Sequence, residues 1–362
     1  QKTRGYGGWP LNVFVTPDGY PLLGLVYMPK QEFLTLLGKL QQGWREDRNE
    51  LSLMAIKAFE FSKKQNDQRI DMPAPDGLQQ YLLEVVRQFA DDLQGGIENQ
   101  SQTKFPRPAL LQALLELYQT QQHEWLKEFL MLTLDQMASK GLRDAVGGGF
   151  FRYTVDPDWN TPHFEKMLYT NAGLARVYAK AYDVFGQERY QSIAEETLDF
   201  MLREMRLPNG GFVSALSAHD RQSVEGGSYL WERDELRNLL TAAQWRRLES
   251  VWQLLDVDGQ LLPSGQLMAP VWDDVRQRMY QKRRNNPAQV DSKLLPSWNG
   301  HVLSTLAALT RQTGHKRYRQ AGEVLYAQLH EHSQQGLHRT AQGVKRRYLE
   351  DFALVARGIS DW

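Results

Sequence analysis

Gly147-Gly148-Gly149-Phe150, then Phe151 to Asn160, then Thr161-Pro162-His163-Phe164-Glu165-Lys166-Met167-Leu168-Tyr169 is the stretch from which the rest of the chain is read. Consecutive glycines allow the backbone to turn where any Cβ would clash. Thr161-Pro162 has the form of an N-cap followed by proline at the first helical position, which predicts a helix beginning there. His163, Glu165 and Lys166 would then occupy its opening turns, and Leu174, Ala175, Tyr178, Ala181, Tyr182 and Phe185 make it apolar over most of its surface. Such a helix belongs in the interior, with only its start open to ligand. A histidine at that position feels the positive end of the helix dipole, which favours the neutral base near pH 7. His163 and Lys166, three apart, would share a helix face. Beside this catalytic reading stands a structural one, in which Glu165 and Lys166 form an ion-pair network tying the loop to the helix.

Outward from this stretch, apolar residues at helical spacing predict helices over 78–89, 108–118, 125–137, 190–205, 302–309, 318–329 and 348–359. Everything from Asp76 onward reads as helix and loop. Glycine-bearing loops recur at Gly95-Gly96-Ile97, Gly148-Gly149-Phe150 and Gly210-Gly211-Phe212, spaced 53 and 62 residues apart. That is the self-similarity of an array of helical hairpins. Alternating short and long connections place every other helix start on one rim. Four clusters would meet there: Lys104-Phe105-Pro106, His163 to Lys166, Ser297-Trp298-Asn299, and Glu350-Asp351.

Candidate roles follow from side-chain chemistry. His163, Glu165, Lys166, Glu350 and Asp351 are the candidate catalytic groups, Glu165 with Glu350 or Asp351 supplying the paired carboxylates of sugar chemistry. Glu350 and Asp351 alone read better as an acidic first turn that stabilises a helix start. Trp298 offers a stacking platform and Asn299 a hydroxyl-binding amide; the alternative is a core tryptophan and a local cap. Lys104, Arg152, Tyr153, Asp156, Trp159, Tyr169 and Asn171 complete the candidate ligand-binding set. Asp256-Val257-Asp258-Gly259 has the opening of a calcium loop but not its later glutamate, and reads as a turn. His330 and His332 face different ways on a helix, so no metal site is expected. No phosphate-cradling loop appears, and no cofactor is expected.

The first 42 residues are different in kind. Leu11, Val13 and Val15 alternate along a strand that stops at Thr16-Pro17-Asp18-Gly19, a turn in which proline presets φ and glycine supplies the positive φ. A second strand over 20–27 closes a hairpin, and 31–40 reads as a short helix. Residues 43–75 hold a helix around 51–61 and a linker at 66–75 that contains Met72-Pro73-Ala74-Pro75, leaving 76–362 as the helical domain.

Composition narrows the classes. Of 362 residues, 43 are basic and 43 acidic, so no net field draws the chain to nucleic acid or membrane. No apolar run reaches the ~20 residues of a spanning helix. The absence of cysteine excludes thiol chemistry in these residues and fits a reducing, cytoplasmic location. The chain begins at Gln1 and stops at Trp362 within a helical pattern, and reads as a fragment cut at both ends.

Gly5-Tyr6-Gly7-Gly8-Trp9-Pro10 through Asp18-Gly19 resembles part of the thioredoxin-like domain of the spermatogenesis-associated protein 20 family, domain of unknown function 255. Gly147 to Ala172, Ser297-Trp298-Asn299-Gly300 and Leu349-Glu350-Asp351-Phe352 resemble motifs of that family's second domain. The resemblance implies an incomplete α/α toroid of the six-hairpin glycosidase type, shared with sugar 2-epimerases, after a thioredoxin-like remnant. It implies that Pro10 is the cis-proline of a thioredoxin fold and that the family's cysteine motif lies upstream of Gln1. The chain departs from the family pattern at Phe151 (histidine expected), at Thr170 (aspartate expected) and at Ser217-Ala218-His219-Asp220 (a more acidic segment expected). Two functions are therefore carried forward. One is an epimerase-like or glycosidase-like enzyme acting on a small, sugar-like ligand. The other is a non-catalytic binding or redox-coupled module with a degenerate toroid pocket.

Overall fold

The computed structural model describes residues 11–26, 28–66, 74, 77–97, 103–251, 253–265, 273–340 and 346–362. The chain divides into two compact units, Gln1–Leu78 and Gln79–Trp362. The expected cis-proline, Pro10, and most of the expected linker lie outside the described residues.

In the first unit, β1 (Asn12–Val15) and β2 (Pro21–Leu25) pair antiparallel as the predicted hairpin. Gly19 takes φ 86° at the turn, and the Thr16 hydroxyl accepts the Tyr20 N–H at 3.1 Å. Two helices follow, α1 (Lys30–Glu46) and α2 (Arg48–Asn66), both longer than their apolar stripes predicted. Phe14 of β1 packs on Phe33 of α1, and Tyr20, just before β2, packs on Phe59 of α2, so each arm of the hairpin has one aromatic anchor to a helix. Because α2 packs on β2, residues expected to form a connecting segment are part of this unit.

The second unit runs α3 (Leu78–Phe89), α4 (Pro108–Gln121), α5 (Glu124–Ser139), β3 (Tyr153–Thr154), β4 (Pro162–His163), β5 (Lys166–Met167), α6 (Leu168–Phe185) and α7 (Glu188–Phe200), the last extended by a π-helical turn at Met201–Met205. Then come β6 (Ala215–Asp220), α8 (Arg233–Leu239), α9 (Ala242–Val251), β7 (Gln253–Val257), β8 (Gln260–Ser264), α10 (Asp273–Arg283), β9 (Ala288–Asp291), α11 (Pro296–Thr313), α12 (Lys316–Gln334) and α13 (Leu349–Asp361). The inner helices α4, α6, α11 and α13 pack side by side in that order, while α5, α7 and α12 back onto α4, α6 and α11. The result is mainly α, an arc of an α/α toroid.

All four inner helices start at the same end. A Cβ on Gly173, early in α6, would lie 2.7 Å from Pro108 at the head of α4 and 3.8 Å from His301 early in α11. A Cβ on Gly300 would sit 2.4 Å from the Leu354 carbonyl, and one on Gly358 2.4 Å from the Gly300 carbonyl. Only glycine lets α11 and α13 approach this closely. Alternate helix starts on one rim are thus observed.

Two expectations are corrected. The stretch from Asp76 onward is not helix and loop alone: β5, β6 and β9 form an antiparallel sheet, and β7 and β8 a hairpin. The Asp258-Gly259 turn, both residues at positive φ, joins β7 to β8 in the manner of a two-residue type I′ hairpin. The second correction concerns the opening stretch. The helix begins at Leu168, and Pro162-His163 is a strand paired with Tyr153-Thr154. The Asp156 carboxylate accepts the N–H groups of Asp158, Asn160 and Thr161, curling the loop so that Thr161 enters a strand instead of capping a helix.

Candidate functional site

Strand geometry rewrites the His163 cluster. Successive side chains alternate, so Phe164 and Lys166 point inward while His163 and Glu165 stay partly exposed. His163 and Lys166 therefore do not share a face, and the helix-dipole argument for His163 lapses.

Lys166 is buried. Its Nζ donates to Asp144 Oδ2 at 2.7 Å and to the Gly148 carbonyl at 2.8 Å, and it lies over the rings of Phe151, Phe200 and Tyr229. Arg283 grips the same Asp144 carboxylate with both terminal nitrogens, at 2.5 and 3.1 Å. Burial works against the Asp144 carboxylate, but Arg283 and Lys166 outweigh it and hold the carboxyl far below its ordinary range. For Lys166 burial wins over the attraction of Asp144, and its pKa falls to about 8.

Lys104 repeats this arrangement one hairpin earlier: its buried Nζ donates to Asp91 Oδ2 at 2.6 Å and to the Gly95 carbonyl at 2.8 Å. The backbone repeats as well. Asp91 pairs with Gly95 and Gly96, Asp144 with Gly148 and Gly149, and Leu207 with Gly210 and Gly211, each through the same two hydrogen bonds. Bridges Ala90 to Ile97, Arg143 to Phe150 and Arg206 to Phe212 close the three turns. In the third copy Leu207 stands where the first two have aspartate, and the lysine pin goes with it. Lys104, expected to bind ligand, and Lys166, expected to be catalytic at the rim, are instead pins of the glycine turns.

The amides are pins too. Asn171 Oδ1 accepts the Phe150 N–H at 2.7 Å, while its Nδ2 donates to the Phe150 and Met167 carbonyls. Asn299 does the same for Phe212 and Leu295. Both are buried and fully engaged with main chain, so neither offers an amide to a ligand. Trp159 is also removed from the ligand-binding set: it is wholly buried, its indole N–H donating to the Gln94 carbonyl at 2.9 Å. Asp156 is occupied by its own loop.

What remains at least partly exposed is contiguous. Tyr153 stacks between Phe105 and His163, at centroid distances of 4.6 and 5.0 Å. His163 Nδ1 meets Glu225 Oε1 at 3.1 Å, and its Nε2 faces Glu165 Oε2 at 3.9 Å. Glu165 pairs with Arg152 Nη1 at 2.9 Å, the Arg152 guanidinium lies near the Tyr169 phenol, and Tyr169 packs on Trp298 at 4.9 Å. Burial raises the Tyr153 phenol. Burial disfavours the Arg152 cation, but Tyr169 and Glu165 more than compensate. The line from Phe105 to Trp298 spans three helix starts.

At the fourth start, Asp351 is buried and accepts the Ser297 N–H at 3.3 Å, with Arg339 at 3.5 Å; Glu350 is exposed and paired with Arg339 at 2.6 Å. Asp351 is a link between α13 and α11, which corrects its catalytic assignment. A cavity of about 280 Å³ lies between the first turn of α11 and the last turns of α12, lined in part by His332, His338 and Leu337. None of His163, Glu165, Tyr169 and Trp298 lines it. Among the described residues no cluster of three metal-ligating side chains occurs.

Sequence reasoning missed Glu225, Asp144, Arg283 and Tyr229. Glu225 lies 62 residues beyond His163, and its only local signal is the Gly226-Gly227 turn that follows it. Asp144 could have been found from the glycine-loop repeat, since Asp91 and Asp144 occupy equivalent places before the paired glycines.

Comparison with known proteins agrees with the resemblance seen in the motifs. Residues 1–61 match the family model described as "Protein of unknown function, DUF255", Thioredox_DsbH. Spermatogenesis-associated protein 20 of Rattus norvegicus is 28% identical over 440 residues, which cover 100% of this chain and 55% of that protein. The chain spans about half the length of the curated relatives it matches. Among solved structures, an unsaturated glucuronyl hydrolase from a Bacillus species overlaps 78% of this chain and 59% of its own, at TM-score 0.45 and 10% identity. Cellobiose 2-epimerase from Spirochaeta thermophila overlaps 79% of this chain and 96% of its own, at TM-score 0.35 and 13% identity. Overlaps this loose say nothing about the site, and the architecture rests on the helix contacts above. No helix among the described residues is long and apolar enough to cross a membrane.

Proposed function

We propose that the rim of the helical array binds a small, sugar-like ligand and that His163 moves a proton on it. The observation that carries this reading is the continuous line Phe105–Tyr153–His163–Glu165–Arg152–Tyr169–Trp298. The exposed ring of Phe105 and the partly exposed rings of Tyr169 and Trp298 suit the C–H faces of a sugar ring, and a carboxylate–guanidinium pair between them suits hydroxyl groups. His163 has a carboxylate at each ring nitrogen. Glu225 at Nδ1 orients the imidazole, leaving Nε2 to exchange a proton with a ligand that displaces Glu165. Epimerase-like exchange at a carbon beside a carbonyl, or general acid/base hydrolysis, are the reactions such a pair can serve.

A second reading is favoured by a specific observation: Lys166, Asn171 and Asn299 are all committed to holding main chain or ion pairs, and Asp351 holds the start of α11 and Arg339 through one of its two oxygens. That leaves binding without turnover, coupled to the thioredoxin-like segment. A panel of reducing mono- and disaccharides in D2O separates the two. Saturable binding with deuterium uptake at the sugar C2, lost in His163→Gln, supports the enzyme; binding with no uptake or hydrolysis supports the module. No sugar binding at all ends the enzyme reading.

A further inference from the structure

A separate cavity of about 110 Å³ opens beside the Lys166 pin, and its walls are of two kinds. One wall is polar: Lys166, Arg283 and Ser228, with the Asp144 carboxylate that the two cations share. The other is apolar: Phe200, Leu216 and Val290. Lys166 and Arg283, with side chains 1% and 9% exposed, share the single carboxylate of Asp144, 3% exposed, so the cluster carries one positive charge more than it neutralises. Glu204, also in the wall, is engaged by Arg203 and Tyr280 and does not meet that charge by direct contact. Two polar atoms of this cluster have no hydrogen-bond partner, Ser228 Oγ and Arg283 Nε, although both are buried. Ser228 as a residue is only 7% exposed. Buried donors without partners are rare, and an uncompensated buried cation is costly.

We propose that this cavity is a binding site for a short-chain carboxylate. The carboxylate takes the Ser228 hydroxyl and the cationic side of the Arg283–Lys166 cluster, and its alkyl tail lies on Phe200, Leu216 and Val290. The cavity has room for a ligand of the size of propionate. The site is distinct from the rim, since neither His163 nor Trp298 lines it, and it stands whether or not the rim binds sugars. Exposed Arg284, also in the cavity wall, would draw the anion in.

The test is a titration of the whole chain with sodium propionate, with sodium chloride and sodium phosphate at matched ionic strength, followed by thermal shift and by the broadening of the propionate methyl signal. Propionate should raise the melting temperature saturably and chloride should not. Ser228→Ala should weaken propionate binding roughly ten- to a hundredfold, as expected for one lost hydrogen bond to a charged group. Arg284→Gln should lower the affinity more at low salt than at high salt. The proposal is overturned if propionate gives no saturable shift. It is equally overturned if phosphate binds and propionate does not, or if folded Ser228→Ala binds propionate like the parent.

Discussion

Asp144→Asn should destabilise the second unit more than any change at the lysine it holds. The Asp144 carboxylate accepts Lys166 Nζ at 2.7 Å, Arg283 at 2.5 and 3.1 Å, and the N–H groups of Val146 and Gly147 at 3.0 and 3.1 Å. Asparagine keeps the shape but leaves two buried cations facing each other with no anion between them. Breaking a buried ion pair from one side costs about 3–5 kcal/mol. Lys166→Met removes a cation instead, and the Asp144–Arg283 pair survives as a neutral unit. What is lost is the charge-assisted bond and a partner for the Gly148 carbonyl, about 1–3 kcal/mol, with the thioether refilling much of the aliphatic volume. The double variant should recover part of the Asp144→Asn loss, because removing the lysine relieves the repulsion. Urea denaturation of the four proteins, followed by tryptophan fluorescence and far-ultraviolet circular dichroism, gives the cycle directly. If Lys166→Met costs as much as Asp144→Asn, or the double variant shows no recovery, the shared-carboxylate account is wrong.

The same cluster predicts a pH dependence. Lys166 titrates near 8 in the folded chain against an ordinary 10.5, so between those values the unfolded state binds more protons and stability rises with pH. The cost of Lys166→Met should therefore grow between pH 7.5 and 9.5, on the order of 1–2 kcal/mol; a cost that is flat or shrinks across this range would contradict it. Asn299→Asp should cost about 2–4 kcal/mol, since aspartate cannot donate to the Phe212 and Leu295 carbonyls and buries a charge. Asn299→Ala leaves the same groups unpaired without the charge and should cost less. Equal denaturation midpoints for the two variants would refute that ordering.

Much of the helical array was legible because apolar periodicity is a local property. The helix over Leu78–Phe89 matches its apolar stripe end to end, and the hairpin turn at Thr16–Gly19 follows from proline and glycine chemistry. The repeat of the glycine loops was legible for the same reason: a positive-φ turn must be written with glycine at each copy. The Pro162-His163 segment was not legible. Its cap-like Thr161-Pro162 is overridden by pairing with Tyr153-Thr154 and by the Asp156 carboxylate, neither of which local propensity contains.

What the residues alone determined is most of the paired helices of the array, the mainly helical class and the convergence of alternate helix starts. Periodicity and loop length depend only on neighbours in the chain. What only the tertiary structure decided is which polar side chains are free. Asn171, Asn299, Lys104, Lys166 and Asp351 look like chemistry in one dimension, but each lies beside a buried carbonyl, N–H or counter-charge supplied by distant sequence. A buried polar group must find its partner inside the protein, and that partner is fixed by packing, at separations no sequence window reaches.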